Sequence, residues 1–342
     1  MQNAEKVLSI LNQKSRQHEN YVFDRIYRNL FNEDFYLNAY RKIYAKQGNM
    51  TAGVDGKTID GFNKAAIAKL IQKMRSETYY PYPVKRAYIP KKNGKMRPLG
   101  IPAFEDKLVQ EVMRQILEAI YEPVFSPNSH GFRPGKSCHT ALYQIKNTAK
   151  GSNWVIEGDI TGCFDHIDHE ILLQILAEKI GDGRFLELVR RFLKSGYFEF
   201  KQVFNSFSGS PQGGIISPIL ANIYLNKFDK FMDGLISENT LGKEKRINPE
   251  YHRLVCRRYE ANKRGDTELA RALQKEMQNL NSRDPMDKNY RRVNYVRYAD
   301  DFVIFINGDK ATAVRIKEQV ADYFKTTLNL ELNAEKTLIT NL

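Results

Sequence analysis

The chain has 342 residues, with 53 Lys and Arg against 40 Asp and Glu, for a formal net charge of +13. A hydrophobic content of 42% with 11% aromatics excludes a disordered or collagen-like polypeptide, no apolar run reaches the roughly 20 residues of a membrane span, and the polar opening MQNAEKVLSI is not a secretory signal. Three scattered cysteines, Cys138, Cys163 and Cys256, exclude a disulfide scaffold, so the expectation is a cytoplasmic protein whose surplus positive charge suits a polyanion, most simply nucleic acid.

Aromatics and Leu/Ile at helical spacing predict a helix over 23–46, closed at Gly48. A turn over Thr51–Gly56 precedes a helix over about 59–77, which Pro81 and Pro83 stop. Val84–Pro90 and Met96–Ile101 flank Asn93-Gly94, a strong hairpin signal. Its tip is basic, with Lys91, Lys92 and Lys95, and Arg97 lies just inside. A helix follows over 104–121. Trp154–Ile160 reads as a buried strand, followed by helices at about 169–179 and 184–195, a strand over 198–204 and a helix over about 216–236. Val293–Tyr298 and Phe302–Ile306 are strands joined by a tight turn, the second so apolar that both its faces must be buried. A helix over about 309–327 and a strand near 336–340 complete the run. The pattern is α+β, with a β-α-β-β-α-β core of the split βαβ type.

In that topology the first and third strands are antiparallel neighbours. Asp159, at the end of the first, then meets Asp300 and Asp301 in the turn between the second and third. Three unpaired carboxylates at one edge repel one another, a penalty that divalent cations remove. Oxygen-only ligands suit Mg²⁺, and two such ions serve nucleotidyl transfer by acting on the attacking hydroxyl and the leaving pyrophosphate. Aspartates are also ordinary turn residues; the pairing with Asp159 favours a site over that reading.

Tyr298-Ala299-Asp300-Asp301, between two strands, resembles the YxDD signature of reverse transcriptases. Asp159–Asp165 (DITGCFD) resembles their first carboxylate motif, and Ser210–Asn222 (SPQGGIISPILAN) the loop-and-helix motif that lies between the two. Gly53-Val54-Asp55-Gly56, Arg97–Pro102 (RPLGIP) and His130–Ser137 (HGFRPGKS) are similar to the group II intron-encoded reverse transcriptases, or maturases, and the resemblance runs over about residues 23–340. It implies the fingers and palm of a right-hand polymerase: a helical extension over 1–58, fingers over 59–150, and a palm over 151–342. It also implies that Asp159, Asp300 and Asp301, with the backbone carbonyl of Ile160, ligate two Mg²⁺ ions. Phe164 would abut the sugar of the incoming nucleotide, where a flat ring leaves no room for a 2′-hydroxyl. Lys91 and Arg97 would grip the triphosphate, Gln212 would sit against the nascent base pair, and Lys336 would protonate the leaving pyrophosphate. Blander readings stand beside these. Phe164 could be plain core, the lysines a solvated loop tip, Gln212 part of a turn, and Lys336 strand decoration.

Gly131–Ser137 is one residue short of a P-loop and follows no buried strand, so Arg133 and Lys136 are expected at nucleic-acid backbone instead. Asp168, in the run Asp165–Glu170, reads as a helix N-cap rather than a metal ligand. Residues 242–292 hold 14 Lys and Arg against 8 Asp and Glu. Arg257, Arg258, Lys263 and Arg264 lie there on two polar helices split near Gly265, which suit either RNA binding or a solvated excursion. The expected partners are group II intron RNA, an RNA template with a DNA primer, and dNTPs, with no membrane. Family members continue past the position of Leu342 into a thumb and later domains, so this chain is expected to lack them, to polymerise with low processivity, and to offer apolar surface that could support a homodimer. A splicing cofactor with a vestigial polymerase site and a retron-type reverse transcriptase are the alternatives.

Overall fold

The computed structural model describes residues 2–342 except 47, 61, 91–93, 95, 200–201, 205–208, 210–212 and 286. In chain order the elements are α1 (Ala4–Gln17), α2 (Glu33–Tyr44), α3 (Lys64–Arg75), β1 (Val84–Pro90), β2 (Met96–Ile101), α4 (Phe104–Tyr121), α5 (Cys138–Thr148), β3 (Trp154–Gly158), α6 (Cys163–His166) and α7 (His169–Ala177). There follow α8 (Gly183–Lys194), β4 (Tyr197–Glu199), β5 (Gln202–Phe204), α9 (Ser217–Asn239), α10 (Pro249–Lys263), α11 (Thr267–Gln278), β6 (Arg292–Tyr298), β7 (Asp301–Asn307), α12 (Lys310–Thr327) and β8 (Leu338–Asn341). Most of the helices open on an Asn, Asp or Ser whose side chain accepts a bond from the first turn, as at Asn63, Asp182 and Asp309.

Among the described residues, two four-stranded sheets organise the fold. One runs β6-β7-β3-β8, with every neighbouring pair antiparallel. This is the order that a split βαβ pattern dictates. The register sets Gly158 opposite Phe302, and a Cβ on Gly158 would fall 2.1 Å from the Phe302 ring. Glycine here lets that ring lie across β3. Behind the sheet, Phe228 of α9 packs against Phe302 (5.1 Å between centroids), Phe324 of α12 (4.3 Å) and Tyr295 (5.5 Å). Each large ring buried this way contributes about 1.5–3 kcal/mol.

The second sheet runs β2-β1-β4-β5. The β1–β2 hairpin has its expected bounds. The strand expected over 198–204 is instead a hairpin, β4–β5, whose β4 pairs in parallel with β1. The helix expected over 23–46 is broken at Asn32: a 3₁₀ turn covers Tyr27–Phe31, and Asn32 then caps α2 through its side chain. Helix α4 is buried on almost every side, more than an amphipathic pattern predicts, because α1, α2 and α9 all pack on it. Its buried polar groups are therefore satisfied internally. Asp106 accepts from the Tyr79 hydroxyl and from the Tyr82 N–H, and Gln110 Oε1 accepts from the N–H of Ile215 at 2.8 Å. Helices α10 and α11 form a hairpin with a small core of their own, made of Leu254, Ala261, Ala270, Leu273 and Met277.

Candidate active site

Continuing the β3–β7 register one step past Gly158 and Phe302 sets Asp159 beside Asp301. Tyr298 and Asp301 are paired across the β6–β7 turn, so Ala299 and Asp300 are its two loop residues. Ala299 has φ +57°, a left-handed position that normally goes to glycine in such a turn. Holding a non-glycine residue there costs about 1–3 kcal/mol unless its surroundings impose it. They do. Arg297 Nη1 donates to the Ala299 carbonyl at 2.7 Å, and Gly131 lies so close that a Cβ on it would fall 2.4 Å from the Ala299 nitrogen.

Arg297 was not singled out from the sequence, yet its side chain and that of Asp229 are fully buried. All five of its N–H donors are used: Nε and Nη2 reach Asp229 at 2.8 and 2.6 Å, Nη1 reaches Asn222 Oδ1 and Ala299 O, and Nη2 also reaches Ser129 Oγ. Asn222 in turn donates to the Gly131 carbonyl at 2.8 Å. Two sequence motifs thus meet on one guanidinium, and a third is tied to it through Asn222. The readable signal was an arginine in a strand whose neighbours are apolar, which requires a buried acid somewhere to answer it.

Loss of solvation pushes the Asp301 carboxyl upward from the usual range, and the negative charges of Asp300 and Asp159 push it further. Lys336 Nζ donates to Asp159 Oδ2 at 2.9 Å, and that bond holds the ammonium's proton more tightly than usual. The loop before Lys336 crosses the end of β3 as a bridge between Ile160 and Leu332, with Asn333 N donating to Asp159 O at 2.8 Å and Thr161 N to Glu331 O at 2.9 Å. The Ile160 carbonyl lies outside those two bonds.

The three carboxylates thus carry a surplus of like charge that one lysine only partly offsets. Among the described residues no three His, Cys, Asp or Glu side chains close on one point as a metal cage. An all-oxygen set that leaves coordination positions for water and phosphate suits a hard divalent cation.

Phe164 is half-buried against the main core, with the ring of Phe132 standing edge-on at 6.3 Å and 80°. Arg97 is exposed on β2 opposite Ile89. Lys91, Lys92, Lys95 and Gln212 lie outside the described residues. The ends of the Gln212 loop are described. Gly209 N donates to Ile167 O at 2.8 Å, and His169 Nε2 lies 2.7 Å from Gly209 O. A Cβ on Gly213 (φ +107°) would fall 2.4 Å from the Gly100 carbonyl, so this loop and β2 are in close contact. Asp168 caps α7, accepting from the N–H groups of Glu170 and Ile171 at 2.9 and 3.0 Å.

Arg133 is a correction. It is expected at nucleic-acid backbone, but its side chain is only 6% exposed, donating to Glu122 and to the carbonyls of Ser126 and Ser129. It pins the 122–133 segment instead. Lys136 is exposed and donates to the Pro127 carbonyl at 3.2 Å. Arg257, Lys263 and Arg264 are exposed on or just past α10, and Arg258 reaches across to Gln274 of α11. Among the described residues no helix is long and apolar enough to cross a membrane.

The reverse transcriptase (RNA-dependent DNA polymerase) family matches residues 89–242. The group II intron-encoded protein LtrA of Lactococcus lactis subsp. cremoris is 45% identical over 98% of this chain and 57% of its own length. An uncharacterized 91 kDa protein in the cob intron of Schizosaccharomyces pombe is 40% identical over 98% of this chain and 42% of that protein. Protein YkfC of Escherichia coli K12 is 34% identical over 92% of this chain and 79% of that protein. The chain spans little more than half the length of LtrA. With the carboxylate-bearing strands, the strained turn and these likenesses together, the chain belongs to the reverse transcriptase family, in its group II intron-encoded branch.

Proposed function

We propose that the chain is the fingers-and-palm core of an RNA-directed DNA polymerase that adds deoxynucleotides to a primer on an RNA template and also binds intron RNA. The observation that carries this reading is the convergence of Asp159 with Asp300 and Asp301 across β3 and β7. In this reading Asp159, Asp300, Asp301 and the Ile160 carbonyl hold two Mg²⁺ ions. Bound there, the ions supply activation of the primer 3′-hydroxyl and charge for the departing pyrophosphate. Lys336, which holds Asp159 at 2.9 Å, exchanges that carboxylate for the pyrophosphate and gives it a proton. Phe164 faces the sugar of the incoming nucleotide, Arg97 and Lys91 take its phosphates, and Gln212 lies under the new base pair. The elements before β3 form the extension and fingers, and the elements from β3 onward form the palm, whose β4–β5 pair joins the fingers sheet through β1. The α10–α11 hairpin, with Arg257, Lys263 and Arg264, contacts intron RNA.

Primer extension on an RNA template with Mg²⁺ tests it, comparing the chain with Asp300→Ala and Asp301→Ala. Addition of even a few deoxynucleotides by the intact chain and none by the variants is the expected result. Equal extension by all three contradicts the assignment. If none extends while all bind RNA equally, the splicing-cofactor reading takes its place.

A further inference from the structure

Phe132 is an anomaly in three respects. It is a bulky residue at φ +58°, a conformation that L side chains rarely adopt. The residue is 58% exposed. And the ring it touches is Phe164.

The backbone around it is fixed on both sides. His130 N donates to the Arg297 carbonyl at 2.9 Å, and the His130 ring is held by Thr140 and Gln144 at 2.8 Å each. Gly131 is pressed onto Ala299 and bonded by Asn222. Arg133 is clamped by Glu122 and two carbonyls. Phe132 therefore cannot relax to negative φ without pulling on the carboxylate turn. A ring that buries so little contributes little to the core, so packing does not explain a phenylalanine where glycine would sit without strain. Strain that the surroundings impose, next to a reactive edge, points to a role in the site.

We propose that Phe132 is a positioning residue for nucleotide sugar selection: it stands edge-on against Phe164 and holds that ring in the plane that excludes a 2′-hydroxyl. This rests on the reading of Phe164 as the residue facing the sugar. Phe164 packs on the core, and the Phe132 ring stands against it at 80°. Edge-to-face pairs of this kind favour a defined ring orientation. Without its partner, the Phe164 ring gains room to swing, and a ribose fits. The sugar discrimination of this chain is then a property of two rings from separate segments, coupled to the carboxylate turn through Gly131.

The test is single-nucleotide addition opposite a template uridine, giving kcat/KM for dATP and for ATP. Equilibrium competition of the two nucleotides for the chain on primer–template gives the binding preference where turnover is slow. The proteins are the intact chain, Phe132→Gly, Phe132→Tyr, Phe164→Ala and the double variant Phe132→Gly/Phe164→Ala. Phe132→Gly removes the ring while suiting the left-handed backbone, so thermal stability should hold or rise. The proposal expects Phe132→Gly to lower the preference for dATP over ATP by about tenfold. It expects Phe132→Tyr, which keeps the ring, to retain the preference, and the double variant to discriminate no worse than Phe164→Ala alone. If Phe164→Ala loses discrimination while Phe132→Gly keeps it, the proposal is overturned and the reading of Phe164 stands. If neither variant changes the preference, both fall.

Discussion

At the residue scale the site is organised by charges that do not balance locally. Asp301 is pushed upward by lost solvation and by its two acidic neighbours, whereas Asp229 sits in the core because Arg297 answers it with two bonds. Removing one member of that buried pair leaves the other uncompensated. Asp229→Ala should therefore lose about 3–5 kcal/mol of unfolding free energy, measured by urea titration. An apolar pair, Arg297→Met with Asp229→Leu, should recover much of that stability yet extend primers poorly, because the Ala299 carbonyl has lost its donor. A loss under about 1 kcal/mol for Asp229→Ala would show the pair to be dispensable. The three aspartates were legible in the sequence because motif and topology agreed on them. Arg297, Asn222 and Ser129 were not, because what marks them is one another's position rather than any local pattern. Arg133 misled for the same reason: an arginine in a Gly/Pro loop looks free until Glu122 is seen beside it.

At the element scale, legibility tracks periodicity. The β1–β2 hairpin, α4 and the β6–β7 pair fall where alternation, helical spacing and turn residues put them. The elements that were not readable depend on partners far along the chain or on a single cap. Asn32 breaks a helical pattern because its side chain caps α2, and β4–β5 is a hairpin that finds its partner in β1, more than 100 residues earlier. Helix α5 was missed although Ser137 and Thr140 form a reciprocal capping box at its start. The α10–α11 hairpin was legible as two polar helices. Its exposed Arg257, Lys263 and Arg264 yield a measurable expectation. Changing all three to Ala should flatten the slope of log affinity for structured RNA against log salt by about 2–3. An unchanged slope would mean that the hairpin is a solvated excursion and that the RNA lies elsewhere.

At the scale of the whole molecule, a chain of net charge +13 concentrates negative charge at one edge of the β6-β7-β3-β8 sheet. The second sheet meets the loop before α9 where Gly100 of β2 lies against Gly213. The arrangement is costly without a cation. Because the Asp301 carboxyl is raised in the folded chain, its share of stability is present at low pH and is lost as pH rises through its folded value. At neutral pH the unliganded fold therefore carries a penalty, which a divalent cation or loss of the charge relieves. The measurement that tests this most directly is thermal unfolding with and without Mg²⁺, for the intact chain and Asp301→Asn, at pH 7.5 and at pH 4. The account predicts that Asp301→Asn is the more stable protein at pH 7.5 without metal, that this advantage shrinks at pH 4, and that Mg²⁺ stabilises the intact chain while leaving the variant nearly unmoved. An intact chain indifferent to Mg²⁺, together with an Asp301→Asn variant that is less stable at pH 7.5, would contradict it.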